Sequence, residues 1–167
     1  MGWYYKKCIQ YSFRYGRSYN VSNSEEKVVG VIIWQHPHET NASLSRMIEV
    51  GMSDMPRVFG FEGTYKFSVS FKSVQQKRKE LMKKEEHMYL FAIGVDPPYQ
   101  RQGYGSALIQ PLLKEADDSN LKCFLECSIA ESVSFFKKWG FQVIEEVSKH
   151  HTGCLTYEMV RKPKSEQ

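Results

Sequence analysis

The chain has 167 residues, 41% of them hydrophobic and 14% aromatic, enough apolar mass for one packed domain and too much for a disordered one. Its formal net charge of +4 is mildly basic, which suits an anionic small ligand without requiring nucleic acid. No apolar run approaches the ~20 residues of a membrane-crossing helix, and no cationic leader precedes an apolar stretch at the start, so neither a membrane partner nor a secretory signal is expected.

Trp3 to Arg14 is aromatic and basic and reads as the end of a helix. Arg17–Asn23 reads as a short strand that turns at Ser22-Asn23-Ser24. Lys27–Trp34 (KVVGVIIW) is β-branched and almost wholly apolar, a central strand in a hairpin with the one before it. Ser43–Gly51 is helix-like, Gly51 to Gly63 irregular, and Thr64–Glu86 strongly helical. Within that helix Lys77, Arg78, Lys79, Lys83 and Lys84 read as a solvated basic face, because few aromatic residues interleave as stacking platforms would require.

Met88–Val95 is a buried strand that Asp96-Pro97-Pro98 stops, since proline lacks the ladder N–H and bars its predecessor from helical geometry. A helix follows over Gly103–Ser119, with Tyr104, Ala107, Leu108, Pro111 and Leu112 expected on one face and a bend at Pro111. Lys122–Ser128 is the next strand, making a βαβ unit with its predecessor. A short helix over Glu131–Trp139 ends at Gly140, and Phe141–Val147 with Gly153–Val160 alternates as a closing hairpin. The result is a mixed α/β fold, a central twisted sheet with helices on both faces. Cys8, Cys123, Cys127 and Cys154 contain no C-x-x-C pair and read as reduced core residues of an intracellular, cytoplasmic protein. His36/His38 and His150/His151 are close pairs, but no carboxylate or thiol sits at matching spacing, so no metal is expected.

The segment Met88–Ser106 (MYLFAIGVDPPYQRQGYGS) organises the rest. A strand, a turn bearing Gly103 and Gly105, and a helix N-terminus make an anion site, because the unpaired amides of the first turn and the helix dipole both favour negative charge. A dinucleotide-binding fingerprint would need a third glycine where Leu108 stands, and a phosphate-binding P-loop would need Gly-Lys-Ser/Thr. Neither is present. What remains, V-x-P-x-x-Q-x-x-G-x-G, resembles the acetyl-coenzyme A signature of the GNAT superfamily of N-acetyltransferases. KVVGVIIWQHP, LKCFLECSIAESVSFFKKWGF and the terminal Met-x-Arg-x-Pro resemble strands and a helix of one small-molecule branch of that superfamily. The resemblance runs from Val28 to Pro163. It treats residues 1–163 as one acetyltransferase domain followed by a polar tail at 164–167.

The resemblance implies acetyl transfer from acetyl-CoA to the primary amine of a small molecule. Ile93, Gly94 and Val95 would pair with the pantetheine arm, and an amide there, that of Ile93 or Val95, would polarise the thioester carbonyl. The N–H groups of Arg101, Gln102, Gly103, Tyr104, Gly105 and Ser106 would hold the diphosphate, Arg101 would add charge, and Gln100 and Gln102 would cap or line that loop. Ser132 replaces the asparagine that opens the last short helix, and the tyrosine that protonates the departing thiolate aligns with Phe136, which has no proton to give. The strand and helix that precede Trp3 in the family are absent, leaving Arg17–Asn23 an unprotected edge compatible with a homodimer. Glu126, on the same side of its strand as Phe124 and Ser128, is the candidate general base, with His87 as a weaker one. Two further readings remain: an acyl-CoA-binding protein without turnover, and an acetyltransferase acting on protein or peptide amines.

Overall fold

The computed structural model describes residues 2–39, 44–83, 85–149 and 154–166. Its strands are β1 (Arg17–Ser22), β2 (Val28–Gln35), β3 (His87–Val95), β4 (Lys122–Cys127), β5 (Gln142–Lys149) and β6 (Cys154–Arg161). They form one six-stranded sheet in the order β1-β2-β3-β4-β6-β5, in which β3 and β4 are parallel and every other pair is antiparallel. The mixed α/β architecture is as expected, with β6 inserted between β4 and the hairpin's first strand. β1 lies at the sheet's edge.

On one face lies α4 (Tyr104–Asp118), which bridges β3 and β4, together with α5 (Ala130–Lys138). Leu108, Ile109, Leu112, Leu113 and Ala116 of α4 meet Ile32, Trp34, Met88, Leu90, Cys123 and Leu125 in a single apolar cluster. Ile109, Leu112 and Leu125 are 0–1% exposed, each contributing roughly 1.5–3 kcal/mol by burial. The expected face of α4 is corrected by about one residue: Ala107 and Pro111 are exposed. Proline is tolerated there because on the solvent side water can take the Ala107 carbonyl that its missing N–H leaves unpaired, while leucine and isoleucine take the inner positions. Gly30 of β2 is where α4 crosses closest; a Cβ would stand 3.0 Å from Leu108 and 3.1 Å from the Gly94 carbonyl oxygen.

The opposite face carries α1 (Gly2–Tyr15), α2 (Leu44–Glu49) and α3 (Met55–Leu81). α3 begins well before the expected Thr64, inside the segment Gly51–Gly63 that reads as irregular. Pro56 sits in its first turn, where a missing N–H costs nothing. Gly60 breaks it with φ 70° and ψ 169°, a conformation glycine reaches without strain. In the polar tail the Lys164 amide donates to Asp117 (3.0 Å) and Ser165 bonds Asn120, which fastens it to α4 and the turn after that helix. Above it, Arg161, 4% exposed, makes a two-pronged pair with Asp117 at 2.8 and 2.9 Å and donates to the Trp139 carbonyl. That guanidinium holds the Asp117 carboxyl below the usual range.

Among the described residues no helix is long and apolar enough to cross a membrane. Cys8, Cys123 and Cys127 are free and buried, as expected; the side chain of Cys154 lies outside the described residues. Burial pushes the Cys8 thiol up to about 11 and that of Cys123 up to about 12, so neither is a ready nucleophile. His150, His151 and the His38 side chain also lie outside the described residues, while His36 pairs with Glu115 at 2.9 Å.

Candidate active site

β3 is the hinge of the site. It pairs with β4 only at its start, through His87, Met88 and Tyr89 opposite Lys122, Cys123 and Phe124. Beyond that point β3 stays with β2, which faces it as far as Val95 opposite Gly30, while β4 continues beside β6 to Cys127. A wedge therefore opens between two parallel strands. The physical cause lies in β3 itself: Ile33 faces Ala92 and Trp34 faces Leu90, leaving Phe91 as an extra, bulged residue. A bulge bends its strand and raises the local twist, which carries Ile93, Gly94 and Val95 away from β4. Their free edge faces the wedge.

At the mouth of the wedge the chain turns through Pro97–Tyr99 into α4. Arg101 (φ 60°) and Gly103 (φ 91°) both take left-handed conformations, which curl the backbone so that successive amides face one side. Among the described residues, no group of the protein accepts a hydrogen bond from the amides of Arg101 to Ser106; the first helical bond is Ala107 to the Gly103 carbonyl, 3.0 Å. A Cβ built on Gly103 or on Gly94 meets nothing within 4 Å, so the space above both is open. The side-chain amides of Gln100 and Gln102 donate to the Val95 and Pro98 carbonyls (2.9 and 3.1 Å) and brace the loop. The Arg101 side chain is exposed, and Tyr104 packs edge-on to Tyr99, centroids 6.5 Å apart. A Cβ at Gly105 would be in ordinary contact with the Phe135 ring of α5, 3.5 Å away. Ser132, half-buried in the first turn of α5, donates its amide to Ile129. The chemistry of this donor set fits an anionic diphosphate: several convergent N–H groups, a helix N-terminus and no carboxylate among residues 97–106.

The inner end of the wedge holds Glu126. The Tyr89 hydroxyl donates to both its oxygens, at 3.2 and 3.1 Å. Burial, and then the charge of Glu126, hold the Tyr89 phenol well above its ordinary value, so it stays a donor. Glu126 faces Glu158 across the ladder, and Glu158 in turn faces Glu145, which makes a row of three carboxylates over β4, β6 and β5. The basic part of α3 lies over this row. Lys77 pairs with Glu145 at 2.6 Å, and Arg78, 3% exposed, lies 4.1 Å above the Tyr89 ring and donates to Gln75 (2.7 Å). The expectation of a solvated basic face is therefore corrected for these two residues: like charges stacked across a sheet need cations opposite them.

Sequence reasoning missed Tyr89, Arg78 and the carboxylate row. Two signals were available. Tyr89 carries the only side-chain hydroxyl in Met88–Val95, and Arg78 continues the apolar helical spacing of Phe67, Phe71 and Val74. The structure does not bring His87 to the site. It starts β3 at the far end, its Nδ1 2.7 Å from the Glu85 carbonyl, and burial lowers its basicity. Phe136 is 6% exposed and packs on Phe135 and Phe141, a core ring.

The family model described as acetyltransferase (GNAT) family matches residues 4–141. The chain belongs to this family. Among solved structures, the GNAT fold is shared with a Drosophila melanogaster polyamine N-acetyltransferase (13% identity, TM-score 0.62, covering 94% of this chain and 79% of that one). It is shared also with Chaetomium thermophilum Naa20 in complex with a bisubstrate analogue (17%, 0.58, 94% and 72%). A third is the ribosomal-protein-S18-alanine N-acetyltransferase of Escherichia coli (16%, 0.54, 94% and 75%). These relatives act on both small molecules and proteins, and at such identities they speak for the fold alone.

Proposed function

We propose that this GNAT chain transfers the acetyl group of acetyl-CoA to the primary amine of a small molecule. The observation that carries the reading is the cradle of unengaged amides from Arg101 to Ser106 beside the open edge of Ile93, Gly94 and Val95. Acetyl-CoA supplies an activated acyl group; the chain supplies grip, orientation and a base. The amides of Arg101 to Ser106 hold the diphosphate, and the edge of β3 aligns the pantetheine arm as if it were a further strand. An N–H of Ile93 or Val95 polarises the carbonyl. Glu126 takes the proton of the amine, worth about 10²–10⁴-fold in rate for a well-placed base, and the Tyr89 hydroxyl holds its carboxylate in place. With Phe136 buried in the core, no hydroxyl stands where the family places its acid. A thiol of ordinary pKa (~8.5) still leaves as thiolate, so turnover is slowed rather than lost.

Phe136 also supports a second reading, that of an acyl-CoA-binding protein without turnover. Calorimetry with coenzyme A, combined with a thiol-release assay over a panel of amines, separates the two. Binding with turnover supports transfer, binding without any turnover supports the second reading, and no binding sinks both.

A further inference from the structure

The sheet face that carries Glu126 also holds two adjoining cavities. The smaller, about 240 Å³, is lined by Tyr4, Tyr5, Arg78, Tyr89, Phe91 and Glu126 among others. The larger, about 500 Å³, shares Tyr4, Phe67, Phe71 and Phe91 with it and extends under α1, α2 and α3. Its size is that of a small-molecule site. Its walls are mostly aromatic, aliphatic and thioether groups, among them Tyr11, Ile33, Met47, Met52 and Met55, with hydroxyls such as Ser12 and Thr64 between them; among the described residues they contain no carboxylate. Among the described residues the one charged group in that wall is a cation, Lys72. A second cation, Arg78, stands beside Glu126, whose negative charge it feels.

We propose that the acceptor is a primary monoamine with an aromatic or bulky apolar body, seated in the larger cavity with its nitrogen toward Glu126, and that diamines and polyamines are rejected. This rests on the transferase reading above. The physical argument is one of charge. A diamine reaching Glu126 with one end would carry its second ammonium into a wall without carboxylates, past Lys72, where an unpaired ion is costly. An apolar body gains there by displacing water from aromatic and methionine surfaces. Sulfur and unbranched side chains at Met47, Met52 and Met55 let the wall adapt to bodies of different shape.

The test uses the full chain. Coenzyme A affinity is measured by calorimetry, and kcat/KM by thiol release with 2-phenylethylamine and with putrescine. The expected preference for 2-phenylethylamine is about tenfold to a hundredfold or more, the scale of apolar-pocket discrimination. Lys72→Glu, a charge reversal at an exposed position, is expected to cut that preference by about tenfold through a carboxylate for the second ammonium, with coenzyme A affinity unchanged. Equal or better use of putrescine by a protein that binds coenzyme A overturns this inference and leaves the transferase reading standing. A preference untouched by Lys72→Glu overturns the seating of the body in the larger cavity. Failure to bind coenzyme A at all overturns the transferase reading, and the inference with it.

Discussion

The two faces of the sheet are built on different principles. Under α4 and α5 the core is one continuous apolar cluster, and among the described residues its one buried charge, Arg161, is matched by Asp117. Under α1 and α3 the same strands present a row of carboxylates, a buried cation, Arg78, and two cavities. The first face fixes β3, the wedge and the amide cradle in space. The second is left incompletely packed, and that incompleteness is what a ligand can use. Rigidity and specificity have been assigned to opposite sides of one sheet.

Substitutions that act on one face alone would sharpen this contrast. Glu126→Gln should lower kcat/KM by about 10²–10⁴-fold while moving the urea midpoint little, because the amide keeps the Tyr89 hydrogen bond. A large stability loss without a rate loss would make Glu126 a structural residue. On the other face, Arg161→Ala should cost about 3–5 kcal/mol in urea unfolding, since it strands Asp117 in a mostly buried position. Leu112→Ala should cost about 2–5 kcal/mol. Phe71→Ala removes more atoms yet should cost less than Leu112→Ala, because Phe71 already borders a void; its effect should appear in KM for the amine. If Phe71→Ala proves the more damaging to stability, the distinction between the faces fails.

The Asp117 pair also sets a pH dependence. Its carboxyl is depressed in the folded state by the hydrogen bond from Arg161, so its stabilisation is fully present above the ordinary carboxylate value of ~3.9 and is lost as pH falls through the lower, folded value. Asp117→Asn should therefore flatten the acid limb of a stability profile below about pH 4. The smallest expected effect is at Gly103. Its φ of 91° makes Gly103→Ala strained by about 1–2 kcal/mol, and coenzyme A affinity should fall with it.

Much of this arrangement was legible in the residues. The apolar run of β3, the Pro97-Pro98 stop and the Gly103/Gly105 turn announced a strand, a loop and a helix N-terminus in order, because each depends on backbone chemistry local to the chain. Glu126 stood out as a carboxylate in an otherwise apolar strand. The start of α3 was misread, because Pro56, Gly60 and Gly63 carry the marks of a loop; Gly60 does break the helix, but the turns on either side of it are helical and pack Phe59 on Trp3 and Phe67 on Tyr4. The partners of Glu126 were hidden for a different reason: Tyr89, Glu158, Glu145 and Arg78 come from four separate segments.

The order of the amino acids by itself determined the strands, the turn that curls amides from Arg101 to Ser106 toward one point, and membership of the family. Those features rest on dihedral preference and hydrophobic period, which act over a few residues. Only the tertiary structure decided that β3 bulges at Phe91 and parts from β4, that Arg78 turns inward over Tyr89, and that an apolar cavity opens beside Glu126. Each of these is a balance between segments far apart in the chain, where packing and charge, not local propensity, choose the outcome.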